Sequence, residues 1–329
     1  MIRFVAAAAL ALGCSTRYPP LDDHQLDVAL AAQAKAHTGE LYAHVERLYE
    51  ARLADPAKDF GFGRFCRSNG DCPYSRAAAA DLIRAHWTDT TLAGARFSEE
   101  SATEDGVATT NLLLDIPGRV RPEEWVLATA HYDAWFGGAN DNATGTAVLL
   151  EAAAPLLAAR LDRSVRLVLL DGEELGLVGA GRYVAAHGAD RVVVVLNADS
   201  IAFVGDEGGV LTGTKPSVEY LAQANEVSAG FAFQLADLAR RLPEPTEMQP
   251  LVFPDDGISL LGVITGFDLG DHAQFWLAGT PAVFPFPAGD KPSWYHTEGD
   301  TPDKVDRGRL ARMGRLWVAA LAAFATLER

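Results

Sequence analysis

Sulfur and positive charge are both scarce in this chain: of 329 residues, three are Cys and three Met, and 28 Lys plus Arg face 44 Asp plus Glu. Three cysteines, none near the candidate ligands below, exclude a cysteine-rich zinc site. The net charge of −16 repels a phosphate backbone or an anionic lipid surface, so nucleic acid is excluded as the main partner. Long apolar runs are missing too. The N-terminal one, Phe4 to Leu12, falls short of the roughly 20 residues a bilayer-spanning helix needs. No internal repeat or low-complexity linker occurs, which leaves one main domain with a helical extension. What is present, 49% hydrophobic and 22% charged residues, suits a folded chain with a sizeable core.

The first residues, "MIRFVAAAALALGCSTRYPP", carry one cation, Arg3, then the apolar run, Gly13 and Cys14. That order predicts a signal peptide over residues 1–14. The "ALGC" ending resembles a bacterial lipobox, whose Cys becomes the lipidated first residue. The expectation is an exported protein: a lipoprotein of the bacterial cell envelope that meets the membrane only through a lipid on Cys14, or otherwise a secreted one. Cys66 and Cys72 flank a turn in "FCRSNGDCPY" that can bring them together. A disulfide there fits an exported protein, with two free thiols in a loop as the alternative.

Residues 15–76 are expected to form the extension. Leu21 to about Leu53 is Ala-rich, with Leu26, Leu30, Leu41, Val45 and Leu48 at helical spacing and a break at Thr38-Gly39, and is expected to pack outside the main sheet. A further helix is predicted over Ser75–Trp87. From residue 77 to 329 strand and helix signals alternate through "TNLLLDIP", "EWVLATAHYD", a helix after Ala143, "SVRLVLLDG", a helix after Leu175 and "DRVVVVLNADS". The alternation predicts an α/β fold, a three-layer α/β/α sandwich around a mostly parallel mixed sheet. A helix over Ser217–Arg241, a strand over Gln249–Phe253, a short helix over Asp271–Leu277, the strand "TPAVFPFP" and a closing helix follow. In that last helix Leu310, Met313, Trp317, Leu321 and Phe324 share one stripe.

Ligands of open α/β sheets gather at the carboxyl ends of the strands, and the unusual polar residues fall there. "WVLATA" runs into His131-Tyr132-Asp133, "VRLVLL" into Asp171-Gly172-Glu173-Glu174, and "VVVVL" into Asn197-Ala198-Asp199. Asp141 precedes an Ala-rich helix in "GGANDNATG", and His296 sits in "WYHTEGDTPDKVD". Singly, a strand-end His is structural, an Asp before a helix is an N-cap and a loop carboxylate is solvated. Jointly, two His and several carboxylates form an N/O ligand set without sulfur, suited to zinc or a similar divalent ion.

At these residues the sequence resembles the M28 family of zinc peptidases. The matching motifs are "HYD", "GANDNATG", "DGEELGLVGAGRY", Asn197-Ala198-Asp199 and "YHTEGDTPDKVD", in family order from about Asn111 to Asp306. The resemblance implies a phosphorylase/hydrolase-like fold over 77–329 and a di-zinc aminopeptidase acting on peptide or protein N-termini. Carried over, Asp141 would bridge two Zn2+ ions, with Glu174 and His296 completing one site and His131 and Asp199 the other. Glu173 would be the general base. Tyr295 resembles a residue that hydrogen-bonds the developing oxyanion, the alternative being a Tyr packed beside a ligand. Asp133, two residues after His131, is expected to accept the ring N–H that faces away from the metal. The family also implies a cis peptide at Asp141-Asn142.

The sequence departs from the family at Ala180, where Ser is frequent. "LGDHAQFWLAGTPAVF" resembles the stretch leading to the substrate pocket, so Asp271, His272 and Phe275 are pocket candidates. For His272 the competing reading is a helix N-terminal residue bonded to backbone. Glutaminyl cyclases, with one zinc, share the architecture. The "GANDNATG" form and Tyr rather than Trp before the late His favour a peptidase. An inactive peptidase-like binding domain is disfavoured by the full ligand set and Glu173. Carboxypeptidase action also occurs in the wider family, and no motif encodes side-chain preference.

Overall fold

A computed structural model describes residues 18–54, 74–89, 92–104, 107–189, 191–203, 218–253, 270–289 and 291–328. The expected leader, Cys14, Cys66 and Cys72 lie outside these residues. Helices α1 (Asp23–Gln33) and α2 (Leu41–Ala54) are separated by the segment containing Thr38-Gly39. α1 starts at a capping box, Asp22 accepting from the Gln25 amide at 2.7 Å and Gln25 answering the Asp22 amide at 3.1 Å. Strand β1 (Tyr74–Ser75) and α3 (Ala77–Trp87) follow. After them come β2 (Arg96–Glu104), β3 (Val107–Ile116), β4 (Arg121–His131), β5 (Ala134–Trp135), α4 (Ala143–Ala159), β6 (Arg163–Leu170), α5 (Val178–His187) and β7 (Val192–Asn197). The chain continues through β8 (Tyr220–Asn225), α6 (Ala229–Arg241), β9 (Met248–Phe253), α7 (His272–Leu277), β10 (Ala282–Pro287), a 3-10 turn (Pro302–Lys304) and α8 (Arg307–Phe324).

Eight strands form one sheet in the order β2-β3-β6-β4-β7-β10-β8-β9. The pairs β6/β4, β4/β7, β7/β10 and β8/β9 are parallel, while β2/β3, β3/β6 and β10/β8 are antiparallel. The continuous apolar runs are explained by burial on both faces. Leu112, Leu114, Val126, Ala128, Leu167, Leu169, Val194 and Leu196 enter one core, and the intervening Leu113, Leu127, Val168 and Val195 enter the other. The first core lies under α4, α6 and α8, and its residues include the whole predicted stripe of α8. The second lies under α5 and α7, through Ala180, Tyr183, Phe275 and Trp276. The fold is therefore the expected three-layer α/β/α sandwich. As expected, α1 packs on α4 and α8, and α2 on α4, outside the sheet.

One expected helix is different. Ser217–Arg241 reads as a single helix, yet Tyr220–Asn225 is a strand between β10 and β9 and only Ala229–Arg241 is helical. "YLAQAN" has no strong β preference; the open edge of β10 and the burial of Tyr220, Ala222 and Ala224 override local propensity. The switch is made at Asn225 and Ser228, whose side chains each accept the other's backbone amide at 3.0 Å.

Candidate metal centre

Strand β4 lies between β6 and β7, all three parallel, and the crossover helices α4 and α5 lie on opposite faces. This is a topological switch point, where the loops leaving the strands diverge and open a crevice. His131 ends β4, Glu173 and Glu174 follow β6, Asp199 follows β7, Asp141 precedes α4, and His296 comes from the loop after β10.

The five expected ligands and Glu173 converge there. His131 Nε2 is 3.1 Å from Asp141 Oδ1 and 3.5 Å from Asp199 Oδ1. His296 Nε2 is 2.8 Å from Asp141 Oδ2 and 3.1 Å from Glu174 Oε1. The two oxygens of Asp141 thus face different histidines. Two ligand sets result, His131/Asp141/Asp199 and Asp141/Glu174/His296, each with ligand atoms within 4.8 Å of one another. Glu173 joins His131 and Glu174 in a third such grouping.

Charge tests whether these residues suit a cation. Burial pushes Glu173 well above the usual carboxylate range, and pushes Glu174 up to about 7 with Asp141 adding to it. Asp271 is pushed to about 8, by burial first. Asp141, against its own burial, is held well below the usual range by His131 and His296. Burial disfavours charge on His296, but Glu174 and Asp141 raise it to about 10. The centre is therefore short of positive charge. His131 Nε2, Glu174 Oε1 and Asp199 Oδ1 are buried and, despite their short separations, make no directional hydrogen bond among the described residues. Such convergent N and O donors fit zinc or a similar borderline divalent ion.

Surrounding residues hold the set in place. Asp300 accepts the amides of Asn140 at 2.8 Å and Asp141 at 3.0 Å. The Asp141-Asn142 peptide is cis, as the resemblance implies. Asn142 caps α4 through the Gly145 amide (2.9 Å) and donates to the Ala198 carbonyl (2.8 Å). A Cβ at Gly145 would strike that same Ala198 carbonyl oxygen, so glycine lets α4 abut the end of β7. Likewise a Cβ at Gly179 would strike the Asp171 carbonyl oxygen, and its absence brings α5 against the loop that carries the two glutamates.

Asp133 is placed differently from expectation. The nearest acceptor to His131 Nδ1 is the Asp133 backbone carbonyl at 3.0 Å, while its carboxylate is 3.6 Å away. β4 ends at His131, so the strand's alternation no longer aims Asp133 along the His131 side chain. Instead the carboxylate accepts the Glu173 amide (3.2 Å), the Glu174 amide (3.1 Å) and the Tyr74 hydroxyl (2.9 Å). With Nδ1–H donated to a carbonyl, Nε2 is left to face Asp141 and Asp199.

Tyr295 stacks on His296, with centroids 3.8 Å apart, and Lys291 Nζ lies 4.0 Å over its ring. Burial pushes its phenol well above the ordinary value, so it stays a donor. Among the pocket candidates, Asp271 is buried and feels the charges of His131, Asp133 and Asp199, whereas Phe275 belongs to the second core. Neither His272 nitrogen has a hydrogen-bond partner among the described residues, which corrects the backbone-bonded reading. Its ring packs 4.5 Å from both Trp276 and Phe284 and is kept neutral by burial, which lowers it to about 3. Ala180 fills the second core.

Three further contributors escaped the sequence reading. Arg52, 2% exposed at the end of α2, donates to the carbonyls of Gly138 (2.7 Å), Gly137 (3.3 Å) and Tyr132 (2.9 Å). Burial lowers it to about 10, against the pull of Asp133, Asp141, Asp300 and Glu174. Asp300 was visible inside the "YHTEGDT" motif, but nothing distinguished it from solvated neighbours. Tyr74 and Arg52 had no signal at all.

An open α/β sheet with a sulfur-free His/carboxylate cluster at its switch point defines a class, the metal-binding α/β enzymes. The chain belongs to peptidase family M28, whose model matches residues 111–321. Aminopeptidase YwaD of Bacillus subtilis (strain 168) is 28% identical over 215 residues, 62% of this chain and 42% of that protein. Carboxypeptidase Q of Xenopus laevis is 28% identical over 225 residues, 66% of this chain and 42% of that protein. The match therefore takes in less than half the length of these relatives. The Legionella pneumophila LapA aminopeptidase shares the fold with a TM-score of 0.67 at 16% identity, over 94% of this chain and 76% of that one. A glutaminyl cyclase from Porphyromonas gingivalis shares it with a TM-score of 0.58 at 17% identity, over 87% and 98%. At those identities the two structures speak to fold alone.

Proposed function

We propose that this protein is a zinc-dependent exopeptidase, an aminopeptidase that hydrolyses the N-terminal peptide bond of peptides or proteins. The observation that carries the reading is the pair of ligand sets sharing Asp141. His131 and Asp199 would hold one Zn2+ and Glu174 and His296 the other, with Asp141 offering an oxygen to each set. Zinc held by these residues would supply an activated water and Lewis-acid polarisation of the scissile carbonyl. Glu173, whose proton affinity burial raises, takes the proton of the attacking water and returns it to the leaving amine. Asp133 acts from behind, fixing the backbone of both glutamates so that adjacent side chains keep separate tasks. The protonated Tyr295 phenol is assigned to the developing oxyanion.

The comparison with carboxypeptidase Q supports a second reading at the same residues, removal of the C-terminal residue. A panel of aminoacyl-nitroanilides, N-blocked peptides and N-terminal glutaminyl peptides, run beside zinc analysis, tests both. Two zinc with release from free N-termini supports the aminopeptidase; cleavage of N-blocked peptides supports the carboxypeptidase; one zinc with cyclisation supports the cyclase and removes the hydrolase. Glu173→Gln is expected to lower kcat by about 10²–10⁴-fold while zinc content stays unchanged. Full turnover by that variant would remove Glu173 as the base.

A further inference from the structure

A second group of metal-ligating side chains lies outside this centre. His44 on α2, His86 on α3 and Glu151 on α4 bring one ligand atom each within 4.8 Å of one another. Glu151 is nine residues beyond the Asn142 cap, about 13 Å along the helix, so the group is separate from the Asp141 cluster. His44 occupies a buried stripe otherwise made of Leu41, Val45, Leu48 and Arg52. Glu151 stands among the buried Ala147, Val148, Leu150 and Ala152 of α4. These are apolar faces, where an isolated ionisable group is costly.

The contacts have the form of a ligand set. His44 Nε2 is 2.6 Å from Glu151 Oε1. The exposed His37 places Nδ1 3.8 Å from Glu151 Oε2. The rings of His44 and His86 meet nearly edge to face, 5.0 Å apart. His86 stands half-buried beside this pair, with one ring nitrogen within ligand distance of both partners. A His44–Glu151 pair would be satisfied by itself and does not account for a second imidazole beside it.

We propose that His44, His86 and Glu151 form a metal site for zinc or a similar borderline divalent ion that staples the helical extension to α4. Three helices contribute one ligand each, which leaves a fourth position of a tetrahedral ion to water. Arg47 is the opposing element. Its Nη2 donates to His44 Nδ1 at 3.1 Å, which places the ring proton on Nε2 toward Glu151, so metal binding at Nε2 requires Arg47 to move and that proton to leave. Arg47 is exposed and free to swing aside.

The test uses the full chain, stripped of metal and dialysed against Zn2+ alone. His86→Gln and Glu151→Gln are expected to bind one zinc fewer per chain than the unmodified protein while hydrolysis of the preferred substrate is unchanged. Arg47→Gln offers a carbonyl to His44 Nδ1–H and is expected to tighten that zinc by about tenfold. Anomalous diffraction at the zinc edge, from crystals grown with stoichiometric zinc, is expected to give a peak bounded by the three side chains. Equal zinc content in all variants, or no peak there, overturns the site. Should His86→Gln fail to fold, the Arg47→Gln titration and the diffraction experiment on the unmodified chain decide the matter.

Discussion

Glu173 and Glu174 are neighbours in sequence and yet are proposed to serve different ends, and their backbone allows it. Both amides point into the Asp133 carboxylate, which leaves the two side chains free to diverge. Asp300 does the same for Asp141 through the amides of residues 140 and 141. The candidate ligands and the proposed base are thus set by carboxylates that lie behind them. Asp300→Ala leaves two buried amides without an acceptor and is expected to cost about 1–3 kcal/mol for each, read from denaturant unfolding. A variant as stable as the parent would show that solvent satisfies those amides. The candidate ligands were legible through the motifs that resemble the M28 family, on residue types that bind a borderline metal. The Asp133 contacts were not. Strand alternation predicts direction only while the strand lasts, and β4 stops at His131.

At the scale of elements, α2 does more than cover the domain. Its last turn sends Arg52 to three carbonyls in the β4–α4 connection, the segment that delivers Asp141. Helix and loop are bonded to each other across 80 to 86 residues of sequence, which periodicity cannot report. Arg52→Met keeps bulk but removes all the donors; the expected loss is about 3 kcal/mol in unfolding free energy. Hydrolytic activity is expected to fall further than the unfolded fraction explains, measured as kcat/KM on folded protein. Activity and stability falling only in parallel would reduce Arg52 to packing. The misread helix over Ser217–Arg241 belongs to this scale as well. Nothing in "YLAQAN" competes with the hydrogen bonds that β10 and β9 offer, and those strands are distant in sequence.

For the molecule as a whole, several carboxylates, Asp133, Asp141, Asp171, Glu173, Asp199 and Asp271 among them, are buried where the sheet opens. Burial there raises Glu173, Glu174 and Asp271 together, so the folded chain gains from a cation that the unfolded chain binds poorly. Removing zinc with a chelator is expected to abolish hydrolysis and lower Tm, with both restored by added zinc. At free zinc of about 100 times Kd the difference in stability is about 2.7 kcal/mol for one site. An unchanged Tm would mean that the apo carboxylates are satisfied in some other way.

By itself the sequence determined the alternation of strands and helices, the two-faced burial of the strands and the identity of five candidate ligands with their neighbouring glutamate. The first two are local, a matter of period and residue type; the five candidates and the glutamate came from the motifs that resemble the M28 family. Only the tertiary structure decided which carboxylates hold the ligands in place, that Arg52 of the extension reaches the centre, and that His44, His86 and Glu151 meet. Such contacts join helices and loops far apart along the chain. Side chains there are positioned by the packing of whole elements, which no short stretch of sequence encodes.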